Sequence, residues 1–254
     1  MPNMWRSTMM ANAAKDPVWQ AKVSSEVARL PQLKAEIEKK CTTCHMPMGK
    51  TQAITNGQPV AALGDGFYNP ANPLHGAAID GVSCTLCHQV QDENLGQTPS
   101  FSGGYAIDTS TNPPDRLIFG PYQQPIMQQM QGVSGFTPVY SAHIATSEHC
   151  GTCHNLYTPY VDGEGKVVGT FPEQTPYTEW QHSQYGTEET SCQSCHMPKA
   201  QGGVAISIIP ANLARREPFF QHFFVGANVF MTQMLSDHAR SEERRVGKEC
   251  RYRW

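Results

Sequence analysis

The chain has 254 residues, only 39% of them apolar, with 21 Gly, 19 Pro and a formal net charge of −3. Such a composition argues against a large protein-only apolar core and predicts long connecting loops. No stretch approaches the roughly 18 consecutive apolar residues of a membrane span, and no basic patch suits nucleic acid.

In chain order, Asp16-Pro17 predicts a helix start, with Asp as the cap and Pro at the first helical position. Val23, Val27 and Leu30 then recur at helical spacing. Pro31 is expected to open a second helix, with Leu33 and Ile37 on one face, which delivers Cys41-Thr-Thr-Cys44-His45. Pro47 is expected to end that binding turn. Residues 49–80 are rich in Gly, Pro, Asn and Ala and read as loop; they hold His75, nine residues before Cys84-Thr-Leu-Cys87-His88. Residues 89–140 form the longest gap between these motifs and contain Pro113, Pro114, Pro121, Pro125 and Pro138, so no regular element is assigned there, although short strands or a helix near 123–131 fit. A third motif, Cys150-Gly-Thr-Cys153-His154, follows His143 and His149. Residues 161–170 look like a hairpin turn, and a short helix from Thr178 leads past His182 to Cys192-Gln-Ser-Cys195-His196. Residues 201–210 suggest a short strand, Phe219 to Phe224 surrounds His222 with four phenylalanines, and 228–239 reads as a last helix.

The repeated pattern is CxxCH. A chance match in a chain this long has odds of roughly one in a thousand, given cysteine and histidine at about one or two per cent each; here there are four, using eight of nine cysteines. Within one helical turn, cysteines at i and i+3 reach the two vinyl groups of a haem, and the histidine at i+4 lies under the iron. Cys41, Cys44, Cys84, Cys87, Cys150, Cys153, Cys192 and Cys195 are therefore the candidate attachment points for four covalent c-type haems. His45, His88, His154 and His196 are their candidate proximal iron ligands. Zinc is the competing use of paired cysteines, but zinc ribbons space their pairs by about 15–20 residues and need no histidine after each pair. These motifs start 43, 66 and 42 residues apart. The first and last both continue as CHMP, a faint internal repeat.

Of ten histidines, six remain for the opposite faces of the irons. His75, His143 and His222 are the leading distal candidates, each in an apolar or Gly-containing stretch outside a CxxCH turn. His182 follows, with His149 (constrained by the adjacent Cys150) and His238 behind. Methionine would raise the reduction potential. However, Met46, Met48 and Met197 lie too near their own proximal turns, and Met127, Met130, Met231 and Met234 look like packing. Bis-histidine, low-potential haems are expected.

Several stretches carry a wider resemblance: Gly81-Val-Ser-Cys-Thr-Leu-Cys-His88, His143 to His154, Glu179-Trp180 with Ser191 to Pro198, and His222-Phe-Phe-Val-Gly-Ala-Asn228. Across most of residues 1–239 the chain resembles multihaem c-type cytochromes, and among them the tetrahaem cytochromes related to hydroxylamine oxidoreductase. The resemblance implies closely packed haems with distal histidines from distant segments, and matches His75, His143 and His222 to ligating positions. It departs at Gln184-Tyr185, where that family often has histidine after its Glu-Trp-x-x-Ser segment. The expected fold is mainly α with extensive loop, a multihaem cytochrome c with a haem-filled core and little β-sheet.

Residues 1–239 are read as one tetrahaem domain, a fragment lacking its export signal and true C-terminus. Residues 240–254 resemble a translated sequencing adapter and are expected to be non-native; six of those fifteen are Lys or Arg and they hold the remaining cysteine, Cys250. Without them, 13 Lys and Arg face 19 Asp and Glu, a net charge of −6. Redox protein partners with a basic docking face are expected, and nucleic acid is not; peripheral membrane association and homo-oligomerisation stay open. Covalent haem implies a periplasmic or extracellular location. Electron transfer in respiratory or extracellular electron flow leads. A multihaem oxidoreductase with one open haem acting on a small nitrogen or sulfur compound, and a subunit of a haem filament or larger complex, are the alternatives.

Overall fold

A computed structural model describes residues 5–6, 8–206, 212–224 and 226. Helix α1 (Pro17–Arg29) starts where its sequence demands: the Asp16 side chain accepts from the Val18 N–H at 2.9 Å and Pro17 fills the first turn. It buries Trp19 and Val23, one helical turn apart. Helix α2 (Lys34–His45) carries the first CxxCH at its C-terminal end. Pro47 does not stop the chain there but serves as the first residue of α3 (Pro47–Thr55), so residues 49–80 are not all loop. Helix α4 (His75–Ile79) packs on α3 so closely that a Cβ at Gly49 would lie 2.6 Å from the Ala78 Cβ.

These helices enclose an apolar cluster built from Trp19, Val23, Met46, Phe67, Ala53 and Ala78. Full burial of side chains such as Phe67 and Val23 contributes about 1.5–3 kcal/mol each. Glu38 is buried inside the same lobe, where its carboxylate accepts from the Ala62 and Leu63 N–H groups at 3.1 and 2.7 Å. A second cluster joins Trp5, Ala11, Val82 and Leu86, with Phe224 packed against it.

Helix α5 (Cys84–Cys87) holds the second motif. The long segment after it is more ordered than its six prolines suggest. Strand β1 (Leu117–Gly120) pairs in parallel with β2 (Thr137–Tyr140), and α6 (Met127–Ser134) makes the crossover that a parallel pair requires. Gly135, at φ 75°, ends α6 in the left-handed conformation that glycine tolerates. Helix α7 (Ser147–Gly151) begins the third motif. Strands β3 (Leu156–Val161) and β4 (Val167–Gln174) then form an antiparallel hairpin. Its turn is held by the Asp162 carboxylate, which accepts from the Glu164 and Lys166 N–H groups. Short helices α8 (Pro176–Gln181), α9 (Gln184–Thr187) and α10 (Cys192–His196) complete the order, α10 carrying the fourth motif.

The expected mainly-α fold with a haem-filled core is thus corrected. Among the described residues helix makes up 40% and strand 13%, in two small sheets, and the fold is mixed α/β. Two apolar clusters of protein side chains supply core that the composition alone did not promise. The strands arise because Leu117-Ile-Phe119 and Val139-Tyr140 are residues that fit a pleated, half-buried surface. The expected last helix at 228–239 with His238, the tail from 240, and most of the second half of the expected 201–210 strand lie outside the described residues; Val204 makes an isolated bridge to Arg216. No helix among the described residues is long and apolar enough to cross a membrane.

Candidate functional site

Each CxxCH occupies one helical turn, and the histidines of the first two are oriented through their Nδ1 atoms. His45 Nδ1 donates to the Ala13 carbonyl at 3.2 Å, and its ring stacks on Trp19 at 4.4 Å with an interplanar angle of 5°. His88 Nδ1 donates to the Phe119 carbonyl at 2.6 Å, while the Phe119 N–H donates back to the His88 carbonyl at 2.7 Å. A proton fixed on Nδ1 leaves the Nε2 lone pair available to a metal, the arrangement in which the second ring nitrogen sets tautomer and orientation. Burial pushes the pKa of both histidines down, which favours that neutral form.

The third and fourth motifs are docked on each other. The Cys192 N–H donates to Ser147 Oγ at 3.0 Å, and Gln193 Nε2 donates to the Thr146 carbonyl at 2.7 Å. His154 is pushed down by burial and then by the nearby His196. Gly151 lies under the Tyr177 ring, where a Cβ would come within 2.8 Å of the ring carbon Cγ; the Tyr177 N–H also donates to the His154 carbonyl.

Thiols of different motifs also meet. Interaction between the Cys44 and Cys153 thiols lowers the Cys44 pKa and raises that of Cys153; Cys150 and Cys192 act on each other likewise, with Cys192 lowered and Cys150 raised. Elsewhere burial alone dominates, pushing Cys41 up to about 11 and Cys87 up to about 12. Cys84 is also raised by burial, and all eight motif cysteines, Cys195 included, are free thiols. The segment 100–104 pins the first motif to the third: the Gly103 N–H donates to the Thr152 carbonyl at 2.7 Å, and Gly103 itself is pressed against Thr43.

The candidate distal histidines fare differently. His222 faces His88 with ring centroids 6.2 Å apart and an interplanar angle of 24°. Its Nδ1 donates to the Phe220 carbonyl at 3.2 Å, and burial, then His88, lowers its pKa to about 4. His75 Nδ1 donates to the Phe67 carbonyl at 2.8 Å, and the exposed His182 donates from Nδ1 to the Thr178 carbonyl at 2.8 Å. Both rings therefore keep Nε2 as the acceptor nitrogen. His143 is committed at both nitrogens, Nδ1 to Ser141 Oγ at 2.6 Å and Nε2 to the Val90 carbonyl at 2.8 Å. His149, 5.9 Å from His143, has a buried Nδ1 with no partner and a pKa lowered to about 3 by burial, then by His143 and His88.

Among the described residues Asn155 Nδ2, Gln193 Oε1 and Arg216 Nε are also buried without partners; the first two lie, like His149, at the third and fourth motifs. Among the described residues, no three His, Cys, Asp or Glu side chains assemble a cage for a bare metal ion. Sequence patterns missed the positioning groups: Trp19, Tyr177, and the carbonyls of Ala13 and Phe119. Only the aromatics carried any signal, since a backbone carbonyl has no residue identity. In comparisons with known proteins, no family model, no curated protein and no solved structure matches the chain.

Proposed function

We propose that this chain carries four c-type haems, one at each CxxCH, and passes electrons between redox protein partners outside the cytoplasm. The observation that carries the proposal is the His88–His222 pair. With a metal–imidazole bond of about 2 Å and roughly 1 Å from nitrogen to ring centre, two imidazoles on opposite sides of one metal have centroids about 6 Å apart. The 6.2 Å separation and the two carbonyl-bound Nδ1 atoms meet that requirement. The free motif thiols and the orphaned polar atoms beside the third and fourth motifs also fit a polar, thioether-bound group.

When bound, each haem supplies a one-electron redox centre. The protein's own residues do the rest. His45 and His88 present Nε2 from rings fixed by Ala13, Trp19 and Phe119. Histidine on both faces favours low potentials, and the net charge of −6 over residues 1–239 favours partners with a basic face. A second activity, an oxidoreductase with one open iron for a small nitrogen or sulfur compound, is favoured by His143, whose two ring nitrogens are already committed.

The test is to express the chain with an export signal in a host that ligates haem, then count haem per protein by pyridine haemochrome and intact mass. Four haems, reduced reversibly by a low-potential donor, are expected. Recovery of the exported chain with eight free motif thiols and no haem overturns the proposal.

A further inference from the structure

Between α3 and residues 103–109 lies an open cleft of about 240 Å³, lined by Lys50, Thr51, Ile54, Thr55, Tyr105 and Thr109 among others. Its charged member is half-buried. Lys50 Nζ donates to Thr43 Oγ1 at 2.6 Å, inside the first CxxCH, and the Tyr105 hydroxyl donates to the Thr43 carbonyl at 2.9 Å. Two further lysines lie nearby: Lys40 Nζ donates to the Ser102 carbonyl at 3.3 Å, and the Lys39 carbonyl accepts from the same Thr43 hydroxyl that Lys50 binds.

Among the described residues no carboxylate forms an ion pair with these three ammonium groups. Among the described residues, the ion pair between Lys22 and Glu26 is the only one, although acidic residues outnumber basic ones in the chain. Burial, and repulsion from Lys39 and Lys40, weaken the hold of Lys50 on its proton. A half-buried cation among like charges is costly unless an anion joins it. The neighbouring groups that instead favour its charge are the thiols of Cys44 and Cys153, which bind haem in the function proposed above. The cleft therefore pairs an unanswered cation with hydroxyl-bearing walls.

We propose that this cleft binds a carboxylate-type oxyanion, with Lys50 as its principal charge partner. The anion has two sources: a propionate of the haem at the first or third motif, which rests on the functional proposal above, or a small free oxyanion from solution.

The experiment compares the exported full chain with its Lys50→Gln and Lys50→Arg variants, matched for haem count and circular dichroism. Failure of the functional proposal would appear first, as absence of haem from all three, and the free-anion arm can still be read on those proteins. If the anion is a propionate, Lys50→Gln favours the oxidised form of one haem about tenfold, a fall of about 59 mV in its midpoint potential. Lys50→Arg restores it, and added acetate gives no binding heat. If the anion is free, acetate binds saturably to the parent chain and to Lys50→Arg, and at least tenfold more weakly to Lys50→Gln. If the potential does not shift and no Lys50-dependent binding isotherm is found, the proposal is overturned.

Discussion

Replacing His222 with alanine is the most direct probe of the proposed redox chain. His222 faces His88 at 6.2 Å and is bonded through Nδ1 to Phe220, so its loss should remove one axial nitrogen from one iron only. The other proximal histidines have partners elsewhere: His45 at Ala13 and Trp19, His154 beside His196. About a quarter of the ferric iron should therefore turn high-spin, as quantified by electron paramagnetic resonance against total haem. In His222→Met the thioether replaces an imidazole that favours ferric iron; a loss of tenfold or more in that preference raises one midpoint potential by at least about 59 mV. The charge of His149 also senses His88, and its buried Nδ1 has no partner among the described residues. The double variant with His149→Ala therefore guards against substitution of one histidine by the other. If both the single and the double variant stay fully low-spin, the pairing of His88 with His222 is refuted.

Three further outcomes follow from named contacts. Glu38→Ala strands the buried N–H of Ala62 and the half-buried N–H of Leu63, at up to about 1–3 kcal/mol each, so thermal unfolding should shift down by about 10 °C, with Glu38→Gln less affected. Gly151→Ala places a methyl against the Tyr177 ring and should cost about 1–3 kcal/mol; in a double-mutant cycle with Tyr177→Ala most of that cost should vanish. In the chain without haem, His149 and His222 have folded pKa values of about 3 and about 4, below the ordinary histidine value, so the unfolded chain binds more protons between about pH 6.5 and 4. Stability measured by denaturant should fall by several kcal/mol as pH drops through that window, and a flat profile there would contradict the burial of both rings.

Local signals were legible where one residue type decides local geometry. Asp16-Pro17 started α1 as expected, the 161–170 turn closed a hairpin, and the second helix delivered Cys41 to His45. Pro47 misled because proline both ends one helix and begins another, and only the packing of α3 on α4 decides between them. The pairing of β1 with β2 was not legible, since twenty residues separate Leu117 from its partner Thr137 and neither strand alternates clearly. Glu38 reads as a surface residue until the turn at Ala62 and Leu63 supplies its donors. In the site, CxxCH announced its own chemistry, whereas the acceptors that orient its histidines are backbone atoms brought in by tertiary structure.

The third motif is where the other three motifs meet. Sequence alone made His143 a distal-ligand candidate just ahead of the third motif; in the fold its Nε2 bonds the carbonyl of Val90, two residues beyond His88. The link is therefore made by protein contacts: His143 ties the third motif to the second, Thr152 and Cys153 tie it to the first, and Ser147 and Cys150 tie it to the fourth. A segment that touches all three of the others fixes their spacing whatever ligates each iron. Its small residues follow from that position, because Gly151 must admit Tyr177 and the facing Gly103 must admit Thr43. Electron transfer depends on such fixed spacing more than on any single ligand, so rigidity at 143–154 is the property that the proposed function asks of this fold.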